Sequence, residues 1–221
     1  MKPNLSFLLI PSVLLAFANS AIAAYPLDVE FELSPPPRAG SAGERKDFEV
    51  LRNLQNTRTN EECEIADGQT YMSVESFFGP EIGVLSSEEV EALEELLDEV
   101  VETVTTETRP FKIHYARVRP YNKDRSIAPC IHKPKGDQSY PSAHAAAGVV
   151  AASVLEKLFP RRADTIREAG LQIGENRVIG GVHHPSDVKA GRELGEQIWE
   201  ALQEDSAFKR DLAKAKRALG R

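Results

Sequence analysis

Three short stretches of the chain concentrate side chains able to grip an oxyanion and move a proton. Lys112 and Arg119 stand seven residues apart, with Pro120 directly after them. Pro141-Ser142-Ala143-His144 opens an alanine-rich run, and Arg177, His183 and Asp187 follow with gaps of five and three residues. Positions seven apart return to nearly one helical face, so Lys112 and Arg119 are expected to point to one place from a helix that Pro120 ends. A helix beginning at Ser142 would present free N–H groups and a positive dipole end, both attractive to anions. Gly180-Gly181 would let the backbone turn tightly between Arg177 and His183, and Asp187 is near enough in sequence to bond an imidazole nitrogen.

Each stretch also has an ordinary reading. Lys112 and Arg119 could be surface charges, His144 a local hydrogen-bonding group, His183-His184 a turn or half a metal site, and Asp187 a helix cap. The chemistry rests on their conjunction and order.

The elements that must position these groups read as helices. Phe48, Leu51 and Leu54 begin an apolar rhythm of three. Ser86-Ser87-Glu88-Glu89 is a capping-box signature, and Val90, Leu93, Leu97, Val100, Val101 and Val104 then share one face. Ala143 to Leu158 is apolar enough to be buried on several sides. Further periodic stretches cover Ala163 to Ile179, residues 186–203 and residues 206–219. No run alternates as a β-strand would, so the fold class expected is all-α, a single-domain helical bundle. The basic residues near the C-terminus (Lys209, Arg210, Lys214, Lys216, Arg217) read as a solvated helix face rather than a membrane surface.

The chain is 221 residues with formal net charge −7. That acidic balance disfavours duplex nucleic acid as a partner and requires any anion to meet a local cationic cluster. A lysine at position 2, an apolar run over residues 7–17 and Ala21-Ile22-Ala23 form a secretory signal expected to be cleaved after residue 23. Residues 24–45, rich in proline and small residues, read as an irregular arm, and residues 46–221 as the helical domain. No apolar stretch of the mature chain is long enough to span a bilayer. Export makes Cys63 and Cys130 a disulfide by default, closing a loop worth on the order of 4 kcal/mol. The expected location is the periplasm or the exterior.

Taken in order, the three stretches resemble the type 2 phosphatidic acid phosphatase (PAP2) superfamily, in its soluble bacterial class A acid phosphatase branch. The family pattern is Lys-x6-Arg-Pro, Pro-Ser-Gly-His and Ser-Arg-x5-His-x3-Asp. Here it stands as Lys112…Arg119-Pro120, Pro141-Ser142-Ala143-His144 and Asn176-Arg177…His183…Asp187. Ala143 replaces the family's glycine, keeping the amide but adding a methyl near the anion. Asn176 replaces its serine and can still donate through its amide.

The resemblance implies an exported phosphomonoesterase, with the fold shared by the vanadium haloperoxidases. In that scheme His183 attacks phosphorus and becomes a phosphohistidine, Asp187 fixes its tautomer, and His144 protonates the leaving oxygen. Lys112, Arg119, Ser142, Ala143 and Arg177 would bind the phosphate, with no cofactor and no metal. Phosphate and vanadate are expected inhibitors, and an acid optimum is expected. Vanadate-dependent haloperoxidase chemistry and non-enzymatic phosphate binding remain the alternatives, and a homo-oligomer is left open. Residues 121–140, carrying Lys123, Arg125, His132, Lys133 and Lys135, form either a rim that selects the ester or a solvated basic loop.

Overall fold

Most helices of the chain start where a hydroxyl or carboxylate can cap them. In a computed structural model, which describes Val13–Leu14 and residues 24–221, Ser41 caps α1 (Ala42–Thr57) and Thr59 caps α2 (Asn60–Gly68). Ser73 caps α3 (Val74–Ile82), and Ser86 caps α4 (Ser87–Tyr115) with Glu89 bonding back to the Ser86 amide. A short α5 (Pro120–Lys123) precedes α6 (Ala143–Leu158), α7 (Ala163–Ile179), α8 (Pro185–Leu202) and α9 (Ser206–Ala218). Among the described residues, strand is confined to one antiparallel pair, β1 (Val13–Leu14) with β2 (Glu32–Leu33), and one bridge between Val118 and Gln138. Apart from β1, the expected signal segment lies outside the described residues. The all-α expectation holds.

α6 is the central element. Its apolar side chains are buried almost all round, and it packs chiefly on α7 and α8. Glycines set that spacing. A Cβ on Gly148 would stand 2.3 Å from the Gly170 carbonyl oxygen, and one on Gly191 2.3 Å from that of Ser142. Such approaches exclude any side chain. The start of α6, the end of α7 and the start of α8 are thereby drawn to one end of the bundle.

The large core joins α3, α4, α6, α7, α8 and α9. A smaller cluster (Phe48, Leu51, Ala66, Tyr121, Ile131, Val178, Val182 and Val188 among others) lies at the end where α6 and α8 start and α7 finishes. The arm of residues 24–45 is irregular up to Ser41 but docked: Tyr25 and Leu33 are buried, and the Tyr115 hydroxyl donates to the Leu33 carbonyl. Cys63 on α2 and Cys130 before α6 form a disulfide, with their Cα atoms 5.8 Å apart.

Two sequence expectations change. α2 and α3 went unrecognised. More important, α4 runs on through Pro110 to Tyr115 and then stops, because Ala116 adopts a left-handed conformation (φ 43°). Arg119 lies beyond that break in extended backbone, so it does not share a helical face with Lys112.

Candidate active site

The two cations meet by chain reversal rather than helical periodicity. Lys112 Nζ donates to the carbonyls of Pro141 (2.7 Å) and Gln138 (3.2 Å), placing it beside the entrance of α6. Arg119 is buried; its Nε donates to the Gly136 carbonyl and its Nη1 to the Val182 carbonyl. Burial and the nearby Arg119 push the Lys112 ammonium down to about 7.

His183 is 2% exposed, with a polar group facing each ring nitrogen. Arg119 Nη1 lies 3.1 Å from Nε2. A guanidinium can only donate, so Nε2 must be the acceptor and the ring proton sits on Nδ1. Nδ1 faces Asp187 Oδ2 at 3.4 Å, a close ionic approach that falls short of a formed hydrogen bond. Burial, then Arg119, hold this imidazole well below its ordinary range, so it is neutral with its Nε2 lone pair free of a proton.

Asp187 is fully buried. Its Oδ2 accepts from the His184 amide at 2.8 Å and its Oδ1 from Arg117 Nη1 at 2.6 Å. Burial opposes ionisation, but the facing His183 ring, then Arg117, outweigh it and hold the carboxyl well below the usual carboxylate range. Asp187 therefore both caps α8 and faces His183, so the two readings of the sequence coexist.

Ser142 is the N-cap of α6, its Oγ accepting from the Ala145 amide at 3.3 Å. The Ala143 and His144 amides are the first two of the helix and have no carbonyl one turn back. His144 sends Nε2–H to the Thr70 carbonyl at 3.2 Å, leaving Nδ1 as its acceptor. Burial and Arg177 push its pKa down to about 3.

Arg177 is the largest fully buried side chain. Nη1 donates to the Ala66 carbonyl at 3.2 Å, while Nε and Nη2 have no protein partner. Burial, then Arg119, push the guanidinium down to about 10, still cationic. A buried cation with two unused donors is costly unless an anion completes it. Asn176 donates to Gln69 Oε1 and accepts from Gln172, so its amide links α7 to the end of α2.

The structure thus brings together Lys112, Arg119, Ser142, Ala143, His144, Arg177, His183 and Asp187. The expected rim is mostly engaged elsewhere: Lys123 pairs with Glu44, His132 Nδ1 lies 2.8 Å from Asp67, and Lys133 lies over the Tyr121 ring. Sequence reasoning missed Arg117 and Asp47, which pair at 2.8 Å behind Asp187. Its missed signal is Arg117-Val118-Arg119. In extended backbone alternate residues share a side, and here Arg117 and Arg119 turn inward while Val118 faces out.

The PAP2 superfamily sequence model matches residues 96–202, a span that contains all eight of these residues. A non-specific acid phosphatase of Providencia stuartii is 31% identical over 195 residues, covering 83% of this chain and 77% of that protein. The chain belongs to the PAP2 superfamily, in its acid phosphatase branch. An acid phosphatase of Zymomonas mobilis is 29% identical over 85% of the chain and 74% of its own length. A non-specific acid phosphatase of Salmonella typhimurium is 36% identical over 51% of the chain, a match spanning 46% of that relative. Among solved structures, a transmembrane PAP2-type phosphatidylglycerolphosphate phosphatase of Bacillus subtilis superposes with TM-score 0.54 at 22% identity, over 78% of this chain and 88% of that one. A bacterial vanadium-dependent iodoperoxidase gives 0.57 at 17%, over 77% and 51%. These two show the shared PAP2 fold alone. Unlike the Bacillus protein, this chain has among its described residues no helix long and apolar enough to cross a membrane.

Proposed function

We propose that this PAP2-superfamily phosphatase hydrolyses phosphomonoesters through a covalent phosphohistidine on His183. The phosphomonoesterase activity follows from its acid phosphatase branch; the roles of individual residues are our reading. The observation that carries it is the His183 ring, whose Nε2 lone pair faces the buried cations Arg119 and Arg177 while Nδ1 faces Asp187.

A phosphoryl group is the anion this cluster fits. Arg177 Nε and Nη2, Lys112, Arg119 and the first amides of α6 surround its equatorial oxygens, where charge spreads in the transition state. His183 Nε2 forms the bond to phosphorus as the bond to the leaving oxygen breaks. The ring becomes a phospho-imidazolium, and Asp187 balances its charge. His144 delivers a proton to the leaving oxygen, then takes one from the water that releases phosphate. The negative charge of the bound phosphoryl group raises the depressed pKa of His144, so substrate binding arms this acid.

Export fits the N-terminal apolar stretch and the disulfide, and we place the mature protein in the periplasm or outside the cell. The test is rapid mixing with 32P-labelled substrate, followed by a base quench. A base-stable, acid-labile label on His183, absent from His183→Ala, is expected. A label elsewhere, or none during steady turnover, overturns the mechanism.

A further inference from the structure

We propose that Arg117, seated between Asp47 and Asp187, is a positioning residue that aims the Asp187 carboxylate at His183 and shares its charge with Asp47. The inference rests on His183 being the nucleophile. Arg117 Nη1 donates to Asp187 Oδ1 (2.6 Å) and Ser186 Oγ (2.7 Å), and Nη2 donates to Asp47 Oδ2 (2.8 Å). Ser186 closes the ring, sending both its amide and its hydroxyl to Asp47. All three charged side chains are at least nine-tenths buried. Four elements meet here: α1 brings Asp47, the extended segment after α4 brings Arg117, the α7–α8 turn brings His183, and α8 brings Ser186 and Asp187.

Two consequences follow from the geometry. First, a carboxylate is free to rotate about its bond to Cβ unless both oxygens are held. With Oδ1 fixed by Arg117 and Oδ2 by the His184 amide, the same Oδ2 is presented to His183 Nδ1. Second, a lone Arg–Asp pair would be neutral and would offer little to a cationic ring. Asp47 takes the other half of the guanidinium, so the ionised trio keeps one negative charge. That charge stands behind the imidazole when bond formation to phosphorus makes it cationic. The charged groups bearing directly on His183 are Asp187 from α8, Lys112 from α4 and Arg119 before α5, while Arg117 and His184 act on Asp187 and Asp47 acts through Arg117.

The test compares Arg117→Met, Arg117→Lys and Asp47→Asn with wild type, using p-nitrophenyl phosphate across acidic pH. Removing the Arg117 cation raises the proton affinity of His183, so the acid limb of kcat/KM moves to higher pH. Removing the Asp47 anion moves it to lower pH. In both, kcat should fall about 10- to 100-fold, the range typical of groups that orient a reacting ligand, with vanadate inhibition unchanged within about three-fold. Arg117→Lys should recover part of kcat. A structural role alone would lower kcat and vanadate affinity together and leave the pH limb in place, and that result overturns the inference. So does a folded Arg117→Met with wild-type kcat and pH profile. If Arg117→Met does not fold, the direction of the limb in Asp47→Asn decides. Failure of the underlying reading is separate: wild type would then show no base-stable label on His183.

Discussion

Arg119 Nη1 and His183 Nε2 lie 3.1 Å apart, and because a guanidinium only donates, this contact leaves Nε2 unprotonated, the nitrogen that attacks in the proposed mechanism. In the proposed mechanism the side chain that sets the His183 tautomer also binds the incoming oxyanion, so substrate exchanges one acceptor of Arg119 for another and frees Nε2 beside phosphorus.

Arg119→Ala should accordingly harm two properties at once. Charge-assisted hydrogen bonds contribute about 1.5–3 kcal/mol, so vanadate and phosphate inhibition constants should rise by about 10- to 150-fold. Loss of the neighbouring cation also lets His183 hold a proton to higher pH, moving the acid limb of kcat/KM upward. Inhibition constants within about two-fold of wild type would remove Arg119 from the anion site.

Binding should take up a proton. In the empty site His144 is pushed down to about 3, chiefly by burial and Arg177, and is neutral at pH 5. Lys112, pushed down to about 7, is already charged there. The negative charge of a bound oxyanion raises the pKa of His144, so calorimetry of phosphate binding at pH 5, where free phosphate is a monoanion and binds as one, should report proton uptake in buffers of differing ionisation enthalpy. His144→Asn should abolish most of it. Uptake unchanged in that variant would assign the proton to another group and remove His144 as the acid. The sign for stability is opposite. An imidazole whose folded pKa is depressed favours unfolding as pH falls from about 6.5 toward 3, and a bound anion should soften that loss.

Arg177→Met offers a third check. The native guanidinium is fully buried with two donors lacking a protein partner, a cost that a thioether of similar length would not carry. Thermal melts without ligand should show Arg177→Met at least as stable as wild type, by about 0–3 kcal/mol. The stabilisation that phosphate gives wild type should vanish in the variant. A large loss of apo stability would show that Arg177 is a structural cation rather than one waiting for an anion.

The sequence exposes the parts of this site whose members are local. Pro141 to His144 form one helix entrance, and Arg177, His183 and Asp187 fall within eleven residues across one turn. Arg117 and Asp47 are different, because each acquires its partner 70 residues away, through folding of α1 onto α8. The extent of α4 was hidden by its β-branched stretch and by Pro110, which tertiary packing overrides. α2 and α3 are nine residues each, too short to show a periodic face, although Thr59 with Glu62 and Ser73 with Ser76 carry the capping signal. Placing Lys112 and Arg119 on one helix fails at Ala116, where nothing in the residue type announces a left-handed turn.

The disulfide should matter to catalysis as well as to stability, because of what α2 leads into. The segment 66–70 supplies the Ala66 carbonyl to Arg177, Gln69 to Asn176 and the Thr70 carbonyl to His144. A nine-residue helix has little stability of its own, so tethers decide its position. Cys63–Cys130 is one, and Asp67, bonded to the amide and ring of His132, is the other. Cys63→Ser/Cys130→Ser should lose about 2–4 kcal/mol of stability. Well below its melting temperature it should also show reduced kcat and weaker vanadate binding, since the anchors of both His144 and Arg177 loosen together. Wild type treated with a strong reductant should match it. A fully active double variant with wild-type vanadate affinity would show that the Asp67–His132 contact alone keeps segment 66–70 in place.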